Sequence, residues 1–119
     1  MMKSIAIPPL TPAKVIERLQ SLPDEIYLAE VDLLNHCDQL MEATRRMKDA
    51  ETEILTRENS PIDGKNEKIR EAQLNQQLVS WKETILEWQK SVERERIKVQ
   101  RLKDQHRSML AIKDLLRPE

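Results

Sequence analysis

Phenylalanine is absent from this 119-residue chain, glycine and cysteine occur once each, and aromatic residues make up 3 % of it. A sheet protein draws on turn glycines and on β-branched or aromatic strands, and neither is plentiful here. A single glycine cannot build a phosphate-cradling glycine-rich loop. A single cysteine, Cys37, makes no internal disulfide, which suits a reducing cytosol. No stretch approaches the roughly 20 apolar residues that span a bilayer, and residues 1–9 hold no apolar run of leader length. Neither sign of charge dominates, with 20 basic against 21 acidic residues and a net charge of −1. Such balance gives no global attraction to nucleic acid or to an anionic membrane, so binding of that kind needs a local patch. The expectation is a cytoplasmic protein with no membrane partner.

What the chain does have is charge and good helix formers. Charged residues make up 34 % of it, against roughly 25 % in an average soluble protein. Long stretches rich in Ala, Glu, Lys, Leu, Arg and Gln are what a helix tolerates best. The fold class is therefore all-α.

Punctuation in the sequence divides the helices. Pro8 and Pro9 make residues 1–10 an irregular lead-in. Thr11 and Pro12 suit the N-cap and first position of a helix. Val15, Ile16, Leu19 and Leu22 follow at helical spacing, which predicts a short amphipathic helix over 12–22. Pro23 is expected to break it, with Asp24 and Glu25 opening a long second helix over 24–58, where negative charge complements the helix dipole. In that helix Ile26, Leu33, Leu40, Met47 and Ile54 recur every seven residues. Tyr27, Leu34, Met41 and Leu55 lie beside them, with Leu28, Val31 and Cys37 widening the stripe. It is broader than a two-stranded seam needs and implies more than one packing partner. Asn59 to Lys65, with the only glycine and a proline, is the clearest turn.

The third helix, predicted over 66–117 with Pro118 ending it, carries the strongest pattern. Leu74, Leu78, Trp81, Ile85, Trp88, Val92, Glu95, Val99, Leu102, His106 and Met109 follow alternating four- and three-residue steps, the seam of a coiled coil. Folding back at the turn pairs Ile26 near Lys98. About the last 18 residues of the third helix then have no partner on the second, at a rise of about 1.5 Å per residue. The short first helix is the right size to cover that overhang. The predicted architecture is a long antiparallel helical hairpin of coiled-coil type, with a short N-terminal helix packed on the overhang in a small three-helix knot. A two-helix hairpin encloses little core, so self-association is expected, most simply a dimer of hairpins forming a four-helix bundle. The candidate association seam is Leu74, Leu78, Trp81, Ile85, Trp88 and Val92, whose tryptophans are residues favoured at binding hot spots.

Candidate chemistry is sparse. His36 and Cys37 are adjacent, and neighbours on a helix point about 100° apart, so the imidazole cannot readily activate the thiol. Cys37 lies on the apolar stripe and reads as a small core residue. A metal site needs three or four ligands at workable spacing, which His36, Cys37 and His106 do not supply. His106 reads better as a polar interruption that fixes register. There is no Gly-x-Ser-x-Gly, His-Glu-x-x-His or Glu-x-x-His motif. No cofactor, metal or catalytic residue is assigned, and the chain reads as a non-enzyme. Lys90, Arg94, Arg96, Lys98, Arg101, Lys103 and Arg107 form a basic tract, interrupted by Glu93, Glu95 and Asp104. It could follow a phosphate backbone, with Arg94, Arg96, Lys98, Arg101, Lys103 and Arg107 as contacts. Its residues go round the helix without interleaved aromatics, however, which favours a solvated face paired in part at i,i+4 spacing.

The segment Asp63-Gly64-Lys65-Asn66-Glu67-Lys68-Ile69-Arg70-Glu71-Ala72-Gln73-Leu74 leads into a heptad helix closing on His106-Arg107-Ser108-Met109-Leu110-Ala111-Ile112-Lys113-Asp114-Leu115-Leu116. This region, about residues 55–116, resembles a group of small helical accessory proteins encoded by bacteriophages and prophages. The resemblance implies a phage-type accessory protein of the kind found among genes for DNA replication and recombination, and brings no catalytic residues. Within the turn, Gly64 is free to take a positive φ and Asn66 to cap the incoming helix. The functional expectation is a helical interaction or scaffolding protein, and the alternative is a nucleic-acid-associated accessory protein using the basic tract.

Overall fold

A computed structural model describes residues 10–116, which form α1 (Pro12–Thr56), α2 (Glu67–Gln77) and α3 (Val79–Leu115), with no strand among them. Of the lead-in expected over residues 1–10, residues 1–9 lie outside the described residues, as does the stop at Pro118. The chain is all-α and hairpin-shaped, with principal extents of 80 × 39 × 17 Å. α1 packs along α3. Arg18 bonds to Gln105 and His36 stacks on Trp88, so residue numbers rise along one helix as they fall along the other. The helices are antiparallel, in the register that brings Ile26 to Lys98.

The helix start is the expected one: Thr11 Oγ1 accepts a hydrogen bond from the Lys14 N–H at 3.2 Å, and Pro12 occupies the first turn. The expected break at Pro23 does not occur, and α1 runs through it for 45 residues. There is no separate helix over 12–22 and no three-helix knot. Residues 12–22 do lie along the overhang, but as the first three turns of α1 itself.

The reason is visible in the burial pattern. Val15, Leu19, Leu22, Ile26, Ala29, Leu33, His36, Leu40, Ala43, Met47, Ala50 and Ile54 follow alternating four- and three-residue steps, and each is buried or half-buried. That heptad passes Pro23 without a change of phase. An interior proline forfeits the hydrogen bond to the Leu19 carbonyl and costs roughly 3 kcal/mol, but Pro23 itself is exposed and its neighbour Leu22 is fully buried. Swinging the first three turns off the seam would re-expose Val15 and Leu22, each contributing about 1.5–3 kcal/mol. Arg18 braces the same stretch. It reaches one heptad along α1 to Glu25, across Pro23, while its other terminal nitrogen donates to Gln105 Oε1 on α3 at 2.8 Å.

The long helix expected over 66–117 is interrupted at one residue. Leu78 (φ −101°, ψ 5°) separates α2 from α3. Its N–H is shared between the Leu74 and Asn75 carbonyls, at 3.0 and 3.3 Å, a tightened 3₁₀-like turn. The seam is not lost there, because Leu78 stays buried and its carbonyl accepts from the Lys82 N–H at 3.0 Å.

Side chains rather than glycine freedom organise the turn. Ser60 Oγ donates to the Ile54 carbonyl at 2.6 Å and closes the end of α1. The Gln73 amide oxygen accepts from the backbone N–H groups of Asp63 and Gly64, and its nitrogen donates to Asp63 Oδ1. Asn66 Oδ1 caps α2 as expected, accepting from the Ile69 N–H at 2.9 Å. Gly64 departs from expectation, because the residue with positive φ is Asn59 at 57°. Gly64 is needed for closeness instead: a Cβ there would sit 2.9 Å from Ile69 Cβ and collide with its Cγ2.

Because α1 is continuous, Pro23→Ala is expected to restore a backbone hydrogen bond without disturbing the seam and to stabilise the protein by about 1–3 kcal/mol. Chemical denaturation of both proteins measures this. Unchanged or lowered stability would show that Pro23 marks a real joint between two helices.

Candidate interaction surfaces

The association seam expected on the third helix is consumed within the chain. Leu78 and Val92 are buried, and Leu74, Trp81, Ile85 and Trp88 are half-buried along the side facing α1. The physical reason is length. α1 runs along α3, so the seam side chains from Leu78 to Val92 are largely spent holding the hairpin together, while Leu74 on α2 lines an open groove with Leu55 and Ile62. His36, not Cys37, occupies a seam position. Its ring meets the Trp88 ring edge to face, with centroids 5.8 Å apart and an interplanar angle of 67°. Continuing this register by whole heptads brings Ala43 opposite Trp81 and Ala29 opposite Glu95. Small residues thus lie across from the bulky and polar members of the partner helix.

Cys37 is half-buried rather than a core residue. It lines an open groove of about 500 Å³ with Tyr27, Val31, Leu34 and Val99, rimmed by Glu30, Arg96 and Lys103. His36 and Cys37 therefore face different surroundings. Among the described residues, no three His, Cys, Asp or Glu side chains converge as a metal-binding group. No described helix is long and apolar enough to cross a membrane.

The basic tract divides into two sets. Arg96 and Lys103 rim the apolar groove, and Arg96 also pairs with Glu93 at 3.7 Å. Arg94, Lys98 and Arg101 recur at four- and three-residue steps and line a shallow groove with Ile97 on the other side of α3. None of these three has an ion-pair partner among the described residues. Arg107 pairs with Asp104 at 3.9 Å. The tract is thus part solvated pairing, as expected, and part a short unpaired cationic row.

A denser charge cluster lies on α1. Glu42 accepts from Arg45 at 2.6 Å and from Arg46 at 3.0 Å, and Arg45 reaches on to Asp49 at 3.0 Å. Hydrogen bonds from Arg45 and then Arg46 hold the Glu42 carboxyl well below its ordinary value of 4.5, at about 2. Its bond to Glu42 in turn raises the pKa of Arg45. The cluster is open to solvent, so salt screens it.

Sequence reasoning missed two features. One is the second α1 row, Val15, Leu22, Ala29, His36, Ala43 and Ala50, hidden by its alanines and histidine. The phase continuity of Val15, Leu19, Leu22 and Ile26 across Pro23 is the signal that could have found it. The other is Glu95, whose Oε2 is buried on the seam without a hydrogen-bond partner among the described residues. The sequence marks it only as an interruption.

Comparison of the chain with protein-family models, with curated proteins and with solved structures finds no match. The surface itself carries the functional reading.

The carboxyl of Glu42 is expected to titrate far below its ordinary value of 4.5 in a carbon-detected NMR titration. Replacing Arg45 and Arg46 with Ala should return it toward the ordinary range. Because the folded-state pKa is depressed, the contribution of this cluster to stability is present above about pH 4.5 and is lost as the pH falls toward 2. An unshifted Glu42 midpoint would remove the cluster as an electrostatic feature.

Proposed function

We propose that this protein is a non-enzymatic helical interaction and scaffolding module that works by self-association in the cytoplasm, with the dimer as its simplest form. The observation that carries this reading is the large apolar surface left over after the hairpin has formed. Tyr27, Leu34 and Met41 are 66 %, 61 % and 70 % exposed on one row of α1. Contiguous exposed apolar surface rimmed by polar residues marks association sites more than it marks ordinary monomer surface. The cavities are open surface grooves, poorly suited to enclosing a small substrate and excluding water from it. Phage or prophage origin, from the resemblance over residues 55–116, forms part of the proposal.

Arg94, Lys98 and Arg101 favour a second reading, a nucleic-acid-associated accessory protein. Three unpaired cations on one row are a minimal phosphate track. The wider tract adds Arg96, Lys103 and Arg107, which are partly engaged elsewhere.

Sedimentation across the micromolar range tests the leading reading, with a mass of at least two chains expected. A strictly monomeric mass, against 14.0 kDa for one chain, would overturn it. Titration of single- and double-stranded DNA at two salt concentrations tests the second. Phosphate binding through three cations predicts a logarithmic salt slope of about −2 to −3, whereas undetectable binding at low salt removes it.

A further inference from the structure

The geometry points to one arrangement for that self-association: an antiparallel two-fold dimer whose axis crosses α1 at Leu34. The inference rests on the proposed self-association and adds its surface, direction and register.

Tyr27, Leu34 and Met41 stand seven residues apart on an exposed flank of α1, and the first two line the groove that Val99, Arg96 and Lys103 of α3 help to form. The next positions of the same row on either side are Gln20 and Lys48, both polar. The apolar stretch therefore ends at equal distances from Leu34. A two-fold interface sets one patch of surface against its own copy, so a patch with a central residue and matched ends is self-complementary. Leu34 then meets its counterpart, and Tyr27 covers Met41 of the second copy. A thioether against an aromatic ring is a favourable contact.

Charge chooses the direction. Asp24 and Arg45 lie on the row beside this stripe, on the outer flank of α1. An antiparallel pair centred on Leu34 sets Asp24 of each copy beside Arg45 of the other, which also holds Glu42 and Asp49 of its own chain, so opposite charges lie at both ends of the contact. Asp24 has no ion-pair partner within its own chain among the described residues. A parallel pair would instead set Lys48 against itself and hold Asp24 of one copy about 31 Å along the helix from Arg45 of the other, so the opposite charges would not meet. The seam helix α3 is already engaged along the hairpin, which leaves this row of α1 as the apolar surface that a second copy fits best.

The test uses full-length chains in a Cys37→Ser background, with a short bis-maleimide as the thiol cross-linker. A Tyr27→Cys chain mixed with a Met41→Cys chain is expected to yield a covalent dimer. Each variant alone should not, because its own counterpart lies about 21 Å along the helix. Leu34→Glu, at an exposed position, is expected to raise the dimer dissociation constant at least tenfold with an unchanged helical circular dichroism spectrum. Cross-linking of either single variant alone would show a parallel dimer and overturn the inference. A dimeric mass with no cross-link in the mixture, or a dimer indifferent to Leu34→Glu, would also overturn it while leaving self-association through another face. A monomeric parent chain would remove both this inference and the reading on which it rests.

Discussion

The α1–α3 seam is the constraint on which the rest of the structure depends, because a two-helix hairpin has no other place to bury anything. Each ordered residue costs on the order of 1–2 kcal/mol of conformational entropy, and only the residues on the facing stripes repay it by leaving water. Val15, Leu22, Ala29, Ala43 and Ile54 on α1, with Leu78, Val92 and Val99 across from them, are the tightly buried members. Every other described residue is half-covered at best. A seam this thin works only if it is long, and its length explains why α1 continues to the end of its partner rather than turning back on it.

That priority shows where seam and local propensity conflict. Pro23 is a strong stop signal by itself, and nothing in the five residues around it argues otherwise. It fails to stop the helix because the heptad on its two sides is in phase and because its own position faces water. Arg18 adds two tethers at the missing hydrogen bond, one across it to Glu25 and one to Gln105 on α3. Leu78 shows the same rule on the other strand of the hairpin. The backbone tightens there by one turn, yet the side chain keeps its place in the seam.

The surface left over by this economy is what gives the molecule its chemical character. The outer row of α1 is apolar, the edge of α3 beside it is basic, and Glu42 with its two arginines makes a screened electrostatic patch further along. Its cavities are open grooves along the helices. Cys37 and His36, which sit side by side in the chain, end up in different worlds: one lines the groove, the other is packed against Trp88.

Much of this was legible in the sequence. The all-α class, the turn, the Thr11 and Asn66 caps, the full seam from Leu74 to Met109 and the antiparallel register all followed from spacing and composition, because heptad periodicity is a local record of a long-range contact. The record failed where the side chains were small or polar. Ala29, His36, Ala43 and Ala50 belong to the seam by position and not by hydrophobicity, so the α1 stripe was read one row off centre and Cys37 was placed in the core. The sequence alone determined that two helices would pair and where the chain would turn between them. Only the tertiary structure decided that α1 passes Pro23, that Gly64 is required by the nearness of Ile69, and that the tryptophan seam is closed within the chain. Those outcomes depend on which partner surface each residue meets, and a helix pattern read from one strand of the pair does not contain the shape of the other.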